Sequence, residues 1–174
     1  MTPPELRAGR LRALRPLHAA SEVLNRALAA AAGVALIAMM AFTVADVALR
    51  SAGRPVAGSF EVIGWLSAVA MALALGYAQL HRGHVAMTLL TDRLNGRAAA
   101  FVDALTSLAS LALFAAVAWY VVRYGQTLQA SGSLSETLKA LVHPWVFVVA
   151  IGFVGLTLAL LVDALRSLAR LLLR

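Results

Sequence analysis

Apolar residues run almost unbroken through four stretches of the chain, roughly Ala27–Leu49, Val62–Leu80, Ala99–Val122 and Ala140–Val162. Charged residues gather between them. At 1.5 Å per residue, each stretch is long enough to cross about 30 Å of hydrocarbon as a helix. The pattern predicts an all-α integral membrane protein with four transmembrane helices, forming a single membrane domain over residues 1–174. Residues 1–26 form its basic leading segment and 163–174 its tail. The first stretch is too long for the apolar region of a signal peptide, and its basic leader too extended, so it reads as a retained span.

Weaker periodicities lie between the spans. LHAASEVLNR, residues 17–26, follows Pro16 and predicts a short amphipathic helix lying on the membrane interface before span one. In HVAMTLLTDRLNGR, residues 84–97, Val85 pairs with Leu89, and Met87, Leu90 and Leu94 share helical spacing. This predicts a second surface-lying helix between spans two and three, stopped near Gly96. SLSE, residues 133–136, has the spacing of a capping box and predicts the start of the fourth helix.

Composition agrees with membrane embedding. Of the 174 residues, 61% are hydrophobic and 13% charged, against about half and a quarter in a soluble domain. The net charge of +7 points to nucleic acid only until the basic residues are located. They flank the apolar stretches instead of forming one basic face, so no nucleic-acid partner is expected. Cysteine is absent, so thiolate ligands and disulfides are excluded.

The basic residues also set a topology. The leading segment holds Arg7, Arg10, Arg12, Arg15 and Arg26, the second loop Arg82, Arg93 and Arg97, and the tail Arg166, Arg170 and Arg174. The alternate side holds Arg50, Arg54, Arg123 and Lys139, a split of 11 against 4. The asymmetry places both termini in the cytoplasm. With that orientation Trp65, Trp119 and Trp145 all fall at the outer interface, where indole rings are favoured.

HRGHVAMTLL, residues 81–90, is the first candidate for site chemistry. His81 and His84 are expected at the cytoplasmic end of span two, whereas His143 opens span four at the outer face. A bis-histidine haem needs two imidazoles at one depth, and a metal held by His81 and His84 alone lacks further ligands. No cofactor or metal is therefore expected. There is no phosphate-binding glycine loop and no nucleophile–base constellation, so no enzymatic activity is expected either. Asp46, Arg50, Glu61, Asp103 and Asp163 all sit near the ends of spans. None lies near a midplane, and no pair of Gly/Pro-interrupted half-helices marks a central transport site.

Packing surface is what remains. Gly64, Ala68, Ala72 and Gly76 recur every four residues along one face of span two. Such a stripe allows close approach of another helix, either within this bundle or from a partner. Asp46 and Arg50 are spaced to pair on one helical face, and Glu61 is placed to reach Arg50 or Arg54 across the loop SAGRPVAGSF. These charges pin a hairpin or meet a partner.

A series of motifs resembles the small membrane subunit of tripartite ATP-independent periplasmic (TRAP) transporters, the DctQ-like proteins. It comprises DVALR closing span one, a glycine-containing loop, Glu61 opening span two, Gly76 late in that span, RGHV directly after it, and Pro144–Trp145 opening span four. RGHV is the most specific element. The chain departs from the family in having Met87 and Thr88 where relatives often carry an acidic residue, and in having histidine before Pro144. The resemblance implies a non-catalytic subunit of the bacterial inner membrane. Its partners would be a large DctM-like membrane subunit and, through the complex, a periplasmic substrate-binding protein. It further implies sodium-coupled uptake of a small organic acid, with this subunit bracing the large one. Arg82 and His84 would anchor the cytoplasmic end of span two, and Asp46, Arg50 and Glu61 would order the outer end. Two readings compete. A tetraspan haem-type anchor of a redox complex would show a Soret band, and a small autonomous oligomeric exporter would transport on its own.

Overall fold

The computed structural model describes residues 15–82 and 96–172. These form four helices: α1 (Arg15–Ser51), α2 (Ser59–Arg82), α3 (Gly96–Ser131) and α4 (His143–Leu172). All four are long and apolar enough to cross a membrane, and among the described residues there is no strand, only an isolated bridge between Leu134 and Leu141. The protein is therefore all-helical, with four membrane-spanning helices. The short helix expected over 84–97 falls largely outside the described residues.

The helices outrun the apolar stretches that predict them. α1 has 37 residues, about 55 Å of helix, and includes the 17–26 segment without interruption. That segment is not a separate surface helix. Pro16 sits in the first turn, where proline costs no hydrogen bond, and nothing between Leu17 and Ala27 breaks the helix. The polar side of the segment is the one that packs inward. Ser21 and Asn25 are fully buried in the bundle, while Val23 is 70% exposed.

At the other boundary, SLSE does not cap α4. The chain reverses over residues 133–142: the Ser135 N–H donates to the Ala140 carbonyl (2.8 Å), and the Ala140 N–H donates to Ser135 Oγ (3.2 Å). Lys139 has a φ of 52°, which no continuing right-handed helix allows. α4 instead begins at His143, with Pro144 in its first turn.

α4 is the hub. It packs against α1, α2 and α3; α1 and α2 also pack on each other, whereas the extensive packing of α3 is on α4. Ala32, Val69 and Leu73 form a small core with Trp145, Val148 and Val149 against it. Farther along α4, Ala159 and Val162 are fully buried. Small residues dominate these contacts, as expected where close packing rather than hydrophobic exclusion holds helices together.

Candidate functional site

Polar residues are fixed at two levels of the bundle. The first is the end carrying the 52–58 and 132–142 loops, here termed the loop end. Asp46 is buried, and its Oδ2 accepts from Arg50 Nη2 at 2.8 Å. The Arg50 guanidinium also donates to Ser59 Oγ at 3.4 Å and lies 5.5 Å from the centre of the Phe60 ring, so it ties the end of α1 to the start of α2.

Glu61 does not reach either arginine. Its Oε1 accepts the Thr137 N–H (2.7 Å) and its Oε2 the Leu138 N–H (3.1 Å). Two adjacent amides at the tip of the 133–142 loop thus converge on one carboxylate, an arrangement stronger than neutral pairing. Gly58 makes room for this docking. Its φ is 77°, and a Cβ there would overlap the Leu138 side chain. Replacing Glu61 by Ala should release the loop, with faster deuterium uptake in a 133–142 peptide and an intermediate effect for Glu61→Gln. Unchanged uptake in both variants would rule out the carboxylate as the clasp.

Beside this clasp, the rings of Trp65 and Trp145 stack with centroids 5.3 Å apart and an interplanar angle of 20°. Pro144 starts α4 so that the next residue, Trp145, meets α2 and the small core.

The second level lies deeper, where α1, α2 and α4 cross. Asn25 Nδ2 donates to the Ser21 carbonyl (2.9 Å), to Ser21 Oγ (3.3 Å) and across the bundle to the Gly155 carbonyl (3.2 Å). Gly155 is 12 residues into α4, about 18 Å along the helix, so this bond ties the start of α1 to the interior of α4. Gly76 faces the same side chain: a Cβ there would collide with Asn25 Oδ1. One turn away, a Cβ on Gly152 would stand 2.5 Å from the carbonyl carbon and oxygen of Ala72 and 2.8 Å from the Leu73 nitrogen. The crossing therefore depends on three glycines and one amide. Toward the far end of the bundle, Gln79 donates to Asp163 (3.3 Å) and Ser107 pairs with Ser167 (3.3 Å).

The structure divides the small-residue stripe of α2. Ala72 and Gly76 are buried against α4 and α1, whereas Gly64 and Ala68 are exposed, with nothing within 4 Å of a Cβ at Gly64. The stripe is thus half internal packing and half open surface. Arg82 is the last residue of α2, and His84 lies outside the described residues. His81, whose ring lies tilted against Tyr77 with centroids 4.1 Å apart, and His143 lie near helix ends at opposite ends of the bundle. Among the described residues no three His, Asp or Glu side chains come together.

A bundle of unbroken spans with its charges clasped at the ends has the form of a membrane-complex component. Residues 39–170 match the family model for tripartite ATP-independent periplasmic transporters, DctQ component. The chain belongs to this family. No curated protein and no solved structure matches it. As a DctQ component it is the small permease subunit of a TRAP transporter, a multi-pass membrane protein of a tripartite system that also contains a DctM subunit and a binding protein. The matched region includes Asp46, Arg50, Glu61, Gly76, Gly152 and Gly155 but not Ser21 or Asn25. Sequence reasoning missed Asn25 because it borders a charge-free run and reads as interfacial. Its spacing of four from Ser21, on the face opposite Val23, is the signal that could have found it.

Proposed function

We propose that this DctQ component is a static brace. It holds the scaffold of its DctM partner in the cytoplasmic membrane while DctM moves a small organic acid inward with sodium, the acid being delivered by the periplasmic binding protein. The observation that carries this reading is the confinement of charge. Among the described residues the four spans are continuous helices, and Asp46, Arg50, Glu61 and Asp163 lie toward helix ends, held by partners within the chain. Moving a charged solute needs midplane polar groups or broken helices, and a brace needs neither. The 11-to-4 split of basic residues puts both termini in the cytoplasm, so the loop end faces the periplasm. Arg82, the last residue of α2, and His84, two positions on in sequence, would then anchor the cytoplasmic side by contacts with lipid headgroups or with DctM. The open half of the α2 stripe, at Gly64 and Ala68, contributes to the surface that meets DctM.

Co-expression with DctM followed by detergent purification tests this directly. The two chains are expected to co-purify, deletion of this subunit to abolish organic-acid uptake, and Arg82→Ala or His84→Ala to lower the yield of the complex. Sodium-driven uptake by this subunit reconstituted alone would overturn the proposal.

A further inference from the structure

On the flank of the α3–α4 pair an apolar groove of about 580 Å³ opens on the outer surface of the bundle. Leu111, Ala115, Trp119 and Val122 line it from α3, and Val154 and Leu161 from α4. Thr157 in the lining donates its hydroxyl to the Phe153 carbonyl at 2.8 Å and so offers the groove no free donor. The groove arises because α3 packs on α4 by its small face, with Ala104, Ser107 and Ala118 buried, while Trp119 stands 64% exposed as the outer wall.

Its dimensions suit a lipid chain. From Leu111 to Val122 the groove follows about 16 Å of helix, close to the half-thickness of a 30 Å hydrocarbon core. Spread over that length, 580 Å³ gives a mean cross-section on the order of 35 Å², enough for one extended acyl chain. A single extended hydrocarbon chain fits along it. The depth agrees with this. The upper end lies at the level of Trp119, Tyr120 and Tyr124, exposed aromatics of the kind that mark a membrane–water interface. Arg123, exposed and one turn beyond Trp119, stands at headgroup height above the groove, and its flexible stem can carry the guanidinium over the mouth.

We propose that this groove is a binding site for one anionic phospholipid of the leaflet on the loop side. One acyl chain lies between α3 and α4, and the phosphate is held at Arg123. The inference requires only that the chain spans the membrane, and is independent of how the subunit acts on DctM. Native mass spectrometry of the subunit purified with DctM, supplied with phosphatidylglycerol or phosphatidylcholine, is the test. One phosphatidylglycerol per subunit should be retained. Arg123→Gln should cut the preference for phosphatidylglycerol about five-fold, as expected for one basic residue at a headgroup. Ala115→Phe, which fills the groove from its bilayer side, should abolish retention of either lipid while the complex stays intact. Retention unchanged in both variants would overturn the proposal. So would loss of DctM from the Ala115→Phe subunit with its lipid retained, which would make the groove a protein contact.

Discussion

Gly152→Ala is expected to destabilise the isolated subunit by about 3 kcal/mol, the upper end of the range for overpacking. The cause is the identity of the neighbours. A Cβ at this position meets the Ala72 carbonyl at 2.5 Å and the Leu73 nitrogen at 2.8 Å, and neither can swing aside as a side chain would. The methyl group can be accommodated only if α4 and α2 move apart, which also loosens the stacking of Trp65 on Trp145 farther along the same pair of helices. Gly64→Ala is the control. Nothing lies within 4 Å of its Cβ, so the substitution should stabilise the isolated subunit by up to about 1 kcal/mol through helix propensity alone. Denaturation in mixed micelles with increasing SDS reads both. Similar midpoints for the two variants would mean that α2 and α4 do not cross closely at Gly152.

This contrast shows how far the sequence could be read. The four spans were legible because hydropathy sums over some twenty residues, and no local detail outweighs that sum. Helix limits were less so, since they depend on single breakers. Pro16 looked like a boundary but stands in the first turn of α1, where it breaks nothing. SLSE has the spacing of a cap, yet the same Ser135 serves equally well to close a tight loop onto Ala140, and only the backbone at Lys139 decides between them. Glu61 was legible as a charge that must be held, but not its holder. Arg50 and Arg54 are near in sequence, whereas the amides it accepts from are 76 and 77 residues away. The small-residue stripe likewise specified a face of α2 and left open which half would be covered. That depends on where α4 crosses, and so on Gly152 and Gly155, residues with no charge or motif to mark them.

The same crossing supplies a test of coupling between Asn25 and Gly76. Asn25→Ala removes the bond to the Gly155 carbonyl and the local bonds to Ser21, a loss of about 1–2 kcal/mol at the values measured for polar contacts between membrane helices. Gly76→Ala drives a methyl group into Asn25 Oδ1 and costs about 1–3 kcal/mol. Asn25 Oδ1 is buried without a conventional donor, and the glycine hydrogen that occupies the Cβ direction points at it, a weak C–H···O contact that any side chain at residue 76 would remove. The two costs therefore share an atom and cannot add. With Asn25 shortened to alanine, the methyl at residue 76 has only the Leu156 backbone nitrogen at 3.1 Å to accommodate. The double variant should then be more stable than the sum of the single variants predicts, by roughly 1–2 kcal/mol, well above the 0.3–0.5 kcal/mol expected for independent sites. Strict additivity in the double-mutant cycle would show that Asn25 does not face Gly76. It would also remove the reason for glycine late in α2, a position that the crossing with α1 explains.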